Sequence, residues 1–382
     1  MRRICIVAAK RTPQGRFMGA LAKQSALDLA TIAGQAVLKE IRPDYIDQVI
    51  VGNVLSAGLG MNIARQISIK LGIPLDRTAL TVNMMCASGM QAVILACQAI
   101  QTGQANVVLC GGTESMSNAP YLLDRARSGY KLGDGVLIDC LLSDGLFDIS
   151  INEHMGLTAE RIAQQYHISR SQQDEFALRS QHNYARAQAN GKFDDEIVKV
   201  DKLAQDEHPR PDTTMDKLAS LKPAFKDDGT VTAGNASGIN DGASMLIVCD
   251  EDTAQKHGWQ RLAIIRNWAS AGCDPKIMGL GPVYATKKLC VRENLKIEDF
   301  DTVELNEAFA AQALACMKDL QIEKDRLNPE GGAIALGHPI GSSGSRLIVH
   351  LSHRIRQGLT SRGLATLCVG GGMGVAMALE KV

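Results

Sequence analysis

The sequence predicts an α/β protein built from two similar halves, and three kinds of observation support this. Short apolar runs such as ICIVAA and NVVLCGG alternate with longer helical patterns such as ALDLATIAGQAVLKEI, which is typical of a largely parallel sheet with helices. The segment 78–113 contains no charged side chain and no histidine. Similar glycine-containing motifs also recur at a nearly constant distance along the chain.

In the N-terminal half, strands are expected at ICIVAA, DQVIVGN and NVVLCGG, with a helix at SGMQAVILACQAIQTG between the last two. That helix is apolar around nearly its whole circumference, and its polar positions are mainly glutamines. A helix of this kind is buried on all sides. We therefore expect it to lie between two layers, an arrangement that an ordinary three-layer sandwich does not provide.

The segment 116–240 is polar and rich in charge, unlike the sequence on either side of it. Helices are expected at LTAERIAQQY and SQQDEFALRSQHNYARAQANG, separated by long loops. Long loops with secondary structure of their own are usually functional. The segment is therefore interpreted as an inserted loop domain.

The two halves are related by a repeat. Ser88-Gly89 recurs 255 residues later as Ser343-Gly344, and LCGG recurs 258 residues later as LCVG. DQVIVGN and DTVELNE form a weaker pair at a distance of 254 residues. One alignment with a three-residue insertion relates all of them, which predicts two similar domains and not a solenoid array.

Charge and composition exclude several classes of function. Lys plus Arg equal Asp plus Glu at 41 each, so no net field attracts nucleic acid or an anionic membrane. The apolar run after Arg3 is too short for a signal peptide, and no run reaches the length of a transmembrane helix. The ten cysteines form no CxxC pair. We therefore expect reduced thiols, a cytoplasmic location and no metal site.

The stretch VNMMCASGMQ places Cys86 where a strand gives way to a helix. One interpretation is a small buried core residue, as cysteine often is. The other is a reactive thiol, whose pKa the N-terminus of the helix lowers. The residues alone leave both interpretations open.

The stretch GGAIALGHPIGSSGSRL places His338 in a glycine-rich turn before a helix. A histidine held there can act as a general base near neutral pH, or it can merely bond the backbone of the turn. Nucleotide hydrolysis is not expected, because the phosphate-binding pattern GxxxxGK[ST] is absent.

Two further stretches follow expected strands. In LCVGGGMG, Cys368 precedes glycines whose N–H groups could surround an oxyanion, although a tight turn with an incidental cysteine fits equally. In NEAF, Asn306 follows the strand TVEL. It could orient a water or a carbonyl, or simply cap the next helix.

Together these motifs make the chain resemble the thiolases, and within them the biosynthetic acetyl-CoA acetyltransferases, over essentially its whole length. The resemblance is carried in order by RTPQGRFMG, GNVLSAGLGMNIARQ, VNMMCASG, GGTESMS, NEHMG, GTVTAGNASGINDGA, NEAFAAQ, GGAIALGHPIGSSG and LCVGGGMG. It implies a duplicated five-layer α/β/α/β/α fold. It also implies an N-terminal domain at 1–252, which includes the inserted loop domain at 116–240, and a C-terminal domain at 260–382.

The resemblance implies a role for each candidate catalytic residue. Cys86 matches the nucleophile that accepts the acyl group, and His338 matches the base that activates it. Cys368 matches a second cysteine that exchanges protons with the substrate. Asn306 matches the residue that holds the water of one oxyanion hole, and the N–H groups of Cys86 and Gly370 match the other.

The resemblance also implies residues that contact the pantetheine arm of coenzyme A (CoA) or line the acyl pocket: Ser237, Ala233, His154, Met155, Leu146, Ala308 and Phe309. Longer-chain members tend to carry proline where His154 stands, so HMG favours a short acyl group. Arg210 matches an arginine near the nucleotide end of CoA, although the segment 201–214 is shorter than the family usually has. RSGYKLGDG resembles the segment through which short-chain members form tetramers.

The expected function is condensation of two acetyl-CoA to acetoacetyl-CoA and CoA, or the reverse thiolysis, through an acetyl-Cys86 intermediate. CoA thioesters are the expected partners, with no cofactor and no metal, and a homotetramer is the expected assembly. The alternative is a 3-ketoacyl-CoA thiolase that acts on longer chains in fatty-acid degradation. A ketoacyl synthase, a cysteine hydrolase and a non-catalytic acyl-CoA-binding protein fit less well, because none of them needs Cys368.

Overall fold

The computed structural model describes residues 2–39 and 41–382. The strands are β1 (Ile4–Arg11), β2 (Gly15–Arg16), β3 (Gln48–Gly52), β4 (Thr78–Val82), β5 (Val107–Ser115), β6 (Tyr121–Leu122), β7 (Ile138–Asp139), β8 (Phe147–Asp148), β9 (Glu153–His154), β10 (Asn240–Asp250), β11 (Ala263–Gly272), β12 (Thr302–Leu305), β13 (Arg362–Val369) and β14 (Met373–Glu380). The helices are α1 (Ala26–Val37), α2 (Ile63–Lys70), α3 (Ser88–Gln101), α4 (Met155–Tyr166), α5 (Arg170–Ala189), α6 (Met215–Ala219), α7 (Glu251–His257), α8 (Gly281–Glu293), α9 (Ala310–Leu320), α10 (Ala333–Leu336) and α11 (Ile340–Arg356).

The main sheet has the strand order β12-β13-β14-β11-β1-β10-β5-β3-β4, and β2 pairs with β10. Its two halves meet at β1 and β11, where Ile4–Ile6 pairs with Ala263–Ile265. The strands β3, β4 and β5 are mutually parallel, as are β12 and β13, whereas every other pairing in this sheet is antiparallel. The prediction of a largely parallel sheet is therefore wrong. Each half of the sheet also contains long antiparallel strands. The alternation of apolar runs with helical patterns in the sequence does not distinguish antiparallel strands from parallel ones.

The layers alternate as α/β/α/β/α. Helices α3 and α11 form the middle layer, and one core joins them to the inner faces of both halves of the sheet. Helices α1 and α2 cover the outer face of the N-terminal half, and α8 and α9 cover the outer face of the C-terminal half. Most of the apolar helix α3 is buried between strands and α11, but Gln91, Leu95, Gln98 and Gln101 form one face that is exposed or half-buried, so the prediction of a helix buried on all sides is wrong for that face.

The middle helices cross where both have glycine. A Cβ added to Gly89 would lie 2.5 Å from Ser345 Oγ, and one added to Gly344 would lie 2.8 Å from the backbone nitrogen of Met90. Neither position accepts a side chain without displacing the other helix. The recurring SG dipeptide thus marks the contact that brings the N-termini of α3 and α11 together.

The repeat relates the strands of the two halves at offsets of 254 and 255 residues, since Gln48 pairs with Val108 and Thr302 with Gly363. Asp47 accepts hydrogen bonds from two consecutive backbone N–H groups at 106–107, and Asp301 accepts the equivalent pair at 361–362. The two acceptor aspartates lie 254 residues apart, and the two donor pairs, which begin β5 and β13, lie 255 residues apart. The three-residue insertion inferred from LCGG and LCVG is therefore wrong. Cys110 corresponds to Ala365, so Cys368 has no counterpart in the first half.

The inserted segment contains β6 to β9 and α4 to α6. Its longest helix, α5, begins at a capping box in which Ser169 and Gln172 each bond the other's backbone N–H. Helices α4 and α5 pack against α9, and α5 also packs against α10. The insertion thus covers the C-terminal half near the start of α11.

Within residues 2–39 and 41–382, no helix combines the length and apolar character required to cross a bilayer.

Candidate active site

A cavity of about 520 Å³ lies where the two halves and the insertion meet. Every predicted site residue except Asn306 lines it: Cys86, His338, Cys368, Gly370, Ser237, Ala233, His154, Met155, Leu146, Ala308, Phe309 and Arg210. Asn306 lies buried behind the wall and contacts His338. Residues separated by nearly three hundred positions along the chain thus share one predominantly apolar chamber.

Cys86 is held in a tight turn immediately before α3. Met85 has a φ of +47°, an uncommon conformation for a residue with a side chain. The turn is fixed by Asn83 Oδ1, which accepts the Met85 N–H at 2.9 Å, and by Ser88 Oγ, which donates to Met85 O at 2.6 Å and accepts the Met84 N–H at 2.9 Å. Cys86 remains half-buried, with its thiol at the cavity wall.

The thiol of Cys86 is not a preformed thiolate. Burial raises its pKa to about 11, and the negative charge of Glu114 acts in the same direction. A hydrogen bond from the backbone of Gly370 opposes this rise without reversing it. The expectation that the pKa of Cys86 is lowered is therefore wrong, because desolvation by burial outweighs the backbone hydrogen bonds that favour the thiolate.

Glu114, a buried carboxyl group within the motif GGTESMS, was not predicted to belong to the site. It accepts hydrogen bonds from Val54 N, Leu55 N, Asn53 Nδ2 and Gly341 N at 2.8 to 3.1 Å. Its pKa is raised to about 7 by burial, against the effect of those donors. It thereby links the first half to the N-terminus of α11, close to Cys86.

His338 keeps Nε2 as the unprotonated nitrogen of its ring. Its Nδ1 lies 2.5 Å from Ser343 Oγ, which itself donates to Pro339 O at 2.9 Å. Since the Ser343 hydroxyl hydrogen is used there, Nδ1 carries the proton and Nε2 keeps its lone pair. Burial lowers the pKa of His338 to about 3, and the positive charge of Arg346 contributes. The imidazole is therefore neutral at rest.

Two asparagines hold this histidine in place. Asn306 Nδ2 lies 3.4 Å from His338 Nε2, while Asn306 Oδ1 is buried without a hydrogen-bond partner among the described residues. Asn240 Oδ1 accepts the His338 N–H at 2.9 Å, and Asn240 Nδ2 donates to Gly15 O at 2.8 Å. Helix α9 begins only at Ala310, so Asn306 does not cap it. The helix-capping interpretation is thus wrong.

Cys368 ends the apolar strand β13 and is buried at the cavity wall. Burial raises the pKa of its thiol well above the usual range, and the neighbouring Cys86 raises it further. The following Gly370 directs its backbone N–H to the Cys86 sulfur. The two cysteines, one from each half, are therefore close enough to affect each other and share the same wall.

The part of the cavity that was predicted to hold the acyl group is closed by aromatic and sulfur-containing side chains. His154 stacks on Phe225 with ring centroids 4.8 Å apart, and Phe225 meets Phe309 edge to face at 6.1 Å. Met155, Ala308 and Phe309 pack with Cys368 in one buried cluster. The ring of Phe225 is a wall residue that the sequence motifs did not indicate.

The side of the cavity that was predicted to contact the pantetheine arm is built by two segments joined by backbone hydrogen bonds. The Ser237 N–H donates to Ala308 O at 3.0 Å, and Ala236 forms a β-bridge with Phe309. Arg210 reaches the same cavity from the shortened segment 201–214. The structure therefore brings Arg210 to the cavity that holds Cys86.

One group of three potential metal ligands, Glu304, Glu330 and His350, lies buried outside the cavity with its ligand atoms within 4.8 Å. Arg354 donates to Glu330, and His350 Nδ1 bonds Glu196 at 2.8 Å. Burial alone would lower the pKa of His350, but the carboxylates of Glu196 and Glu304 raise it to about 10. A protonated histidine cannot ligate a metal, so these groups form an ion-pair network.

Comparison with known proteins identifies the family of this architecture. Family models described as the N-terminal and C-terminal domains of thiolase match residues 4–252 and 259–381. An acetyl-CoA acetyltransferase of Chromobacterium violaceum is 49% identical over 389 residues, covering 99% of each chain. An acetyl-CoA acetyltransferase of Escherichia coli is 48% identical over 393 residues, covering 100% of each.

Solved structures agree with the sequence comparison. Human mitochondrial 3-ketoacyl-CoA thiolase in complex with CoA has a TM-score of 0.97 at 44% identity, covering 100% of this chain and 98% of that one. Acetyl-CoA acetyltransferase of Bacillus anthracis has a TM-score of 0.97 at 42% identity, covering 100% and 99%. The predicted thiolase-like α/β fold is confirmed, and the chain belongs to the thiolase family.

Proposed function

We propose that this protein is an acetyl-CoA C-acetyltransferase, which condenses two acetyl-CoA to acetoacetyl-CoA and CoA or catalyses the reverse thiolysis. The observation that carries the proposal is the meeting of Cys86, His338 and Cys368 in one apolar cavity. Relatives that are nearly half identical over their full length bear the name acetyl-CoA acetyltransferase. The alternative function, a 3-ketoacyl-CoA thiolase that acts on longer chains, is not better supported.

The proposed catalytic cycle begins with all three catalytic side chains uncharged. The raised pKa values keep Cys86 and Cys368 as thiols, and the lowered pKa keeps His338 neutral. When Cys86 attacks the thioester carbonyl, His338 Nε2 takes its proton and CoA leaves as a thiolate. Cys368 gives its proton to that thiolate, so that CoA departs as a neutral thiol. The site then holds acetyl-Cys86, an imidazolium and a thiolate.

The second half-reaction restores the resting state. The Cys368 thiolate removes a proton from the methyl carbon of a second acetyl-CoA, and the resulting enolate attacks the acetyl group on Cys86. Collapse of the tetrahedral intermediate releases acetoacetyl-CoA, and the Cys86 thiolate recovers its proton from the imidazolium of His338. Asn306 and the N–H groups of Cys86 and Gly370 are assigned to the developing oxyanions.

Acyl-enzyme trapping tests this proposal. After brief mixing with acetyl-CoA and acid quenching, mass spectrometry is expected to find one acetyl group on the peptide that carries Cys86. The Cys368→Ala variant is expected to acquire the same group but to form no acetoacetyl-CoA. Condensation at the wild-type rate in Cys368→Ala would contradict the proton-transfer role.

We further propose a homotetramer (a dimer of dimers) in the cytoplasm, with the domain boundary near residues 253–259 and no cofactor beyond the CoA substrates. Support for assembly comes from residues 121–149, where Leu132, Val136 and Ile149 are strongly exposed. Exposed apolar side chains at this density usually mark an interface. Light scattering during size-exclusion chromatography measures the oligomeric state of wild type and of the Leu132→Ser variant directly.

A further inference from the structure

The cap of helix α11 comes from the other half of the molecule. The N-cap residue of this helix is Pro339, whose side chain offers no hydrogen-bond acceptor. The first N–H groups of a helix need acceptors, and the helix dipole favours a carboxylate there. Glu114, near the end of β5, supplies one, because its Oε2 accepts the N–H of Gly341 at 2.9 Å. A carboxyl group of the first half thus holds the first turn of the helix that His338 precedes.

The same carboxyl group also holds the turn that follows β3. Its Oε1 accepts hydrogen bonds from Asn53 Nδ2 at 2.8 Å and Leu55 N at 3.1 Å, and its Oε2 accepts a second one from Val54 N at 3.1 Å. All four partners are uncharged N–H donors, so the two oxygens act only as acceptors. A protonated carboxyl group would direct its own O–H at one of these donors. The contacts therefore fit the ionised form and not the neutral one.

The two elements that Glu114 joins approach each other closely. A Cβ added to Gly341 would lie 2.6 Å from Glu114 Oε2, and one added to Gly112 would lie 2.0 Å from Gly341 O. Strand β5 and helix α11 reach this distance because glycine stands at both positions. Since His338 lies only three residues before Gly341, a shift of this turn also shifts the imidazole relative to Cys86.

We infer that Glu114 is a positioning residue of the reaction: its carboxylate holds the first turn of α11 against the turn after β3 and so keeps His338 at Cys86, and protonation of Glu114 releases this contact. The inference rests on the proposed function, because it concerns the placement of the base of that reaction. The cavity itself is lined by other residues, so Glu114 acts through the backbone of α11 and not on the substrate.

Protonation of Glu114 is expected near neutral pH. Burial raises the pKa of its carboxyl group to about 7, although the four donors oppose this rise. The charge of Glu114 also acts on the thiols of Cys86 and Cys140, whose pKa values burial raises to about 11 and about 12. Strand β10 places Gly242 opposite Glu114, and burial lowers the pKa of His338, on the segment before α11, to about 3. Glu114 is therefore the member of this group that titrates near neutral pH.

The test measures kcat for thiolysis of acetoacetyl-CoA against pH in wild type, Glu114→Gln and Glu307→Gln. In wild type, kcat is expected to fall as the pH drops through about 7, because Glu114 then gains a proton. Glu114→Gln directs an amide NH₂ at N–H donors, so its kcat on the alkaline plateau is expected to be about tenfold lower, with KM nearly constant and without the acid-side midpoint. Glu307→Gln is the matched control: it removes another buried carboxyl group whose pKa burial raises, and the midpoint is expected to stay.

A second variant keeps the carboxyl group. Asn53→Ala removes one donor that favours the carboxylate, so the acid-side midpoint of kcat is expected to move to higher pH. Alkylation of Cys86 by iodoacetamide requires no thioester and gives an independent readout. Its midpoint is expected at lower pH in Glu114→Gln than in wild type, because a negative charge near the thiol is lost.

The inference would be overturned by an acid-side midpoint near 7 that persists in Glu114→Gln, that disappears equally in Glu307→Gln, or that Asn53→Ala leaves in place. An alkylation midpoint that is the same in Glu114→Gln and wild type would overturn it as well. A wild-type enzyme that cleaves no acetoacetyl-CoA would instead refute the proposed reaction, while a lowered alkylation midpoint in Glu114→Gln would still place the ionised carboxyl group at the thiol.

Discussion

Replacing Ser343 by alanine tests whether Ser343 fixes the position of the ring proton of His338, the proposed base. Ser343 Oγ is fully buried, accepts the His338 Nδ1–H at 2.5 Å and donates to Pro339 O at 2.9 Å. Ser343→Ala leaves a buried Nδ1–H without a partner, which costs about 1–3 kcal/mol. The imidazole avoids that cost only by moving its proton from Nδ1 to Nε2. The proton then occupies the lone pair that is proposed to accept the proton of Cys86. Either response lowers kcat by about 5- to 150-fold, because each 1.4 kcal/mol is a factor of ten.

Steady-state thiolysis of acetoacetyl-CoA measures this effect, with kcat falling and KM nearly constant, since the hydroxyl does not line the cavity. Ser345→Ala is the control, because that buried serine on the same helix bonds Ser342 O and Ser244 O and does not contact His338. Thermal unfolding of both variants separates lost stability from lost activity. Equal kcat values for Ser343→Ala and Ser345→Ala would refute the proposal that Ser343 keeps the ring proton of His338 on Nδ1.

Three further outcomes are expected. Alkylation of Cys86 by iodoacetamide should accelerate with pH towards a midpoint near 11, because burial favours the neutral thiol; a midpoint below that of free cysteine would contradict this. Gly337→Ala should lower the melting temperature and abolish activity, since Gly337 has a φ of +99° and an added Cβ would lie 2.3 Å from Asn240 Cγ; an unchanged melting temperature would contradict it. His154→Ala should raise the rate on 3-ketohexanoyl-CoA relative to acetoacetyl-CoA by removing the ring stacked on Phe225; an unchanged ratio would show that His154 does not limit chain length.

The sequence predicted features that depend on local pattern. The uncharged stretch 78–113 predicted a helix buried on all sides, and α3 is buried except on the face that carries Gln91, Leu95, Gln98 and Gln101. The SG repeat predicted two similar domains, and Gly89 and Gly344 lie where their middle helices cross. A side chain at either glycine would prevent this close approach, which gives the recurrence of the dipeptide a physical reason.

Features set by distant partners could not be predicted in this way. The pKa of Cys86 is raised mainly by its burial in the folded protein and also by the charge of Glu114, and no residue adjacent to Cys86 in the sequence indicates either effect. Ser343 stood within a motif already selected for His338, but its role required the geometry of the turn. Asn240 lies 98 residues from His338, and only the fold joins them. The relative direction of neighbouring strands could not be predicted either, because buried parallel and buried antiparallel strands share the same apolar pattern.

The most direct test of the proposed function is thiolysis of acetoacetyl-CoA by free CoA, measured for wild type and Cys86→Ala with 3-ketohexanoyl-CoA and a longer homologue in parallel. Rapid cleavage of acetoacetyl-CoA by wild type, strong preference over the longer substrates and complete loss in Cys86→Ala are the expected results. Cleavage confined to longer chains would contradict the short-chain assignment and retain the mechanism. Undiminished cleavage by Cys86→Ala would contradict the central claim that this thiol carries the acyl group.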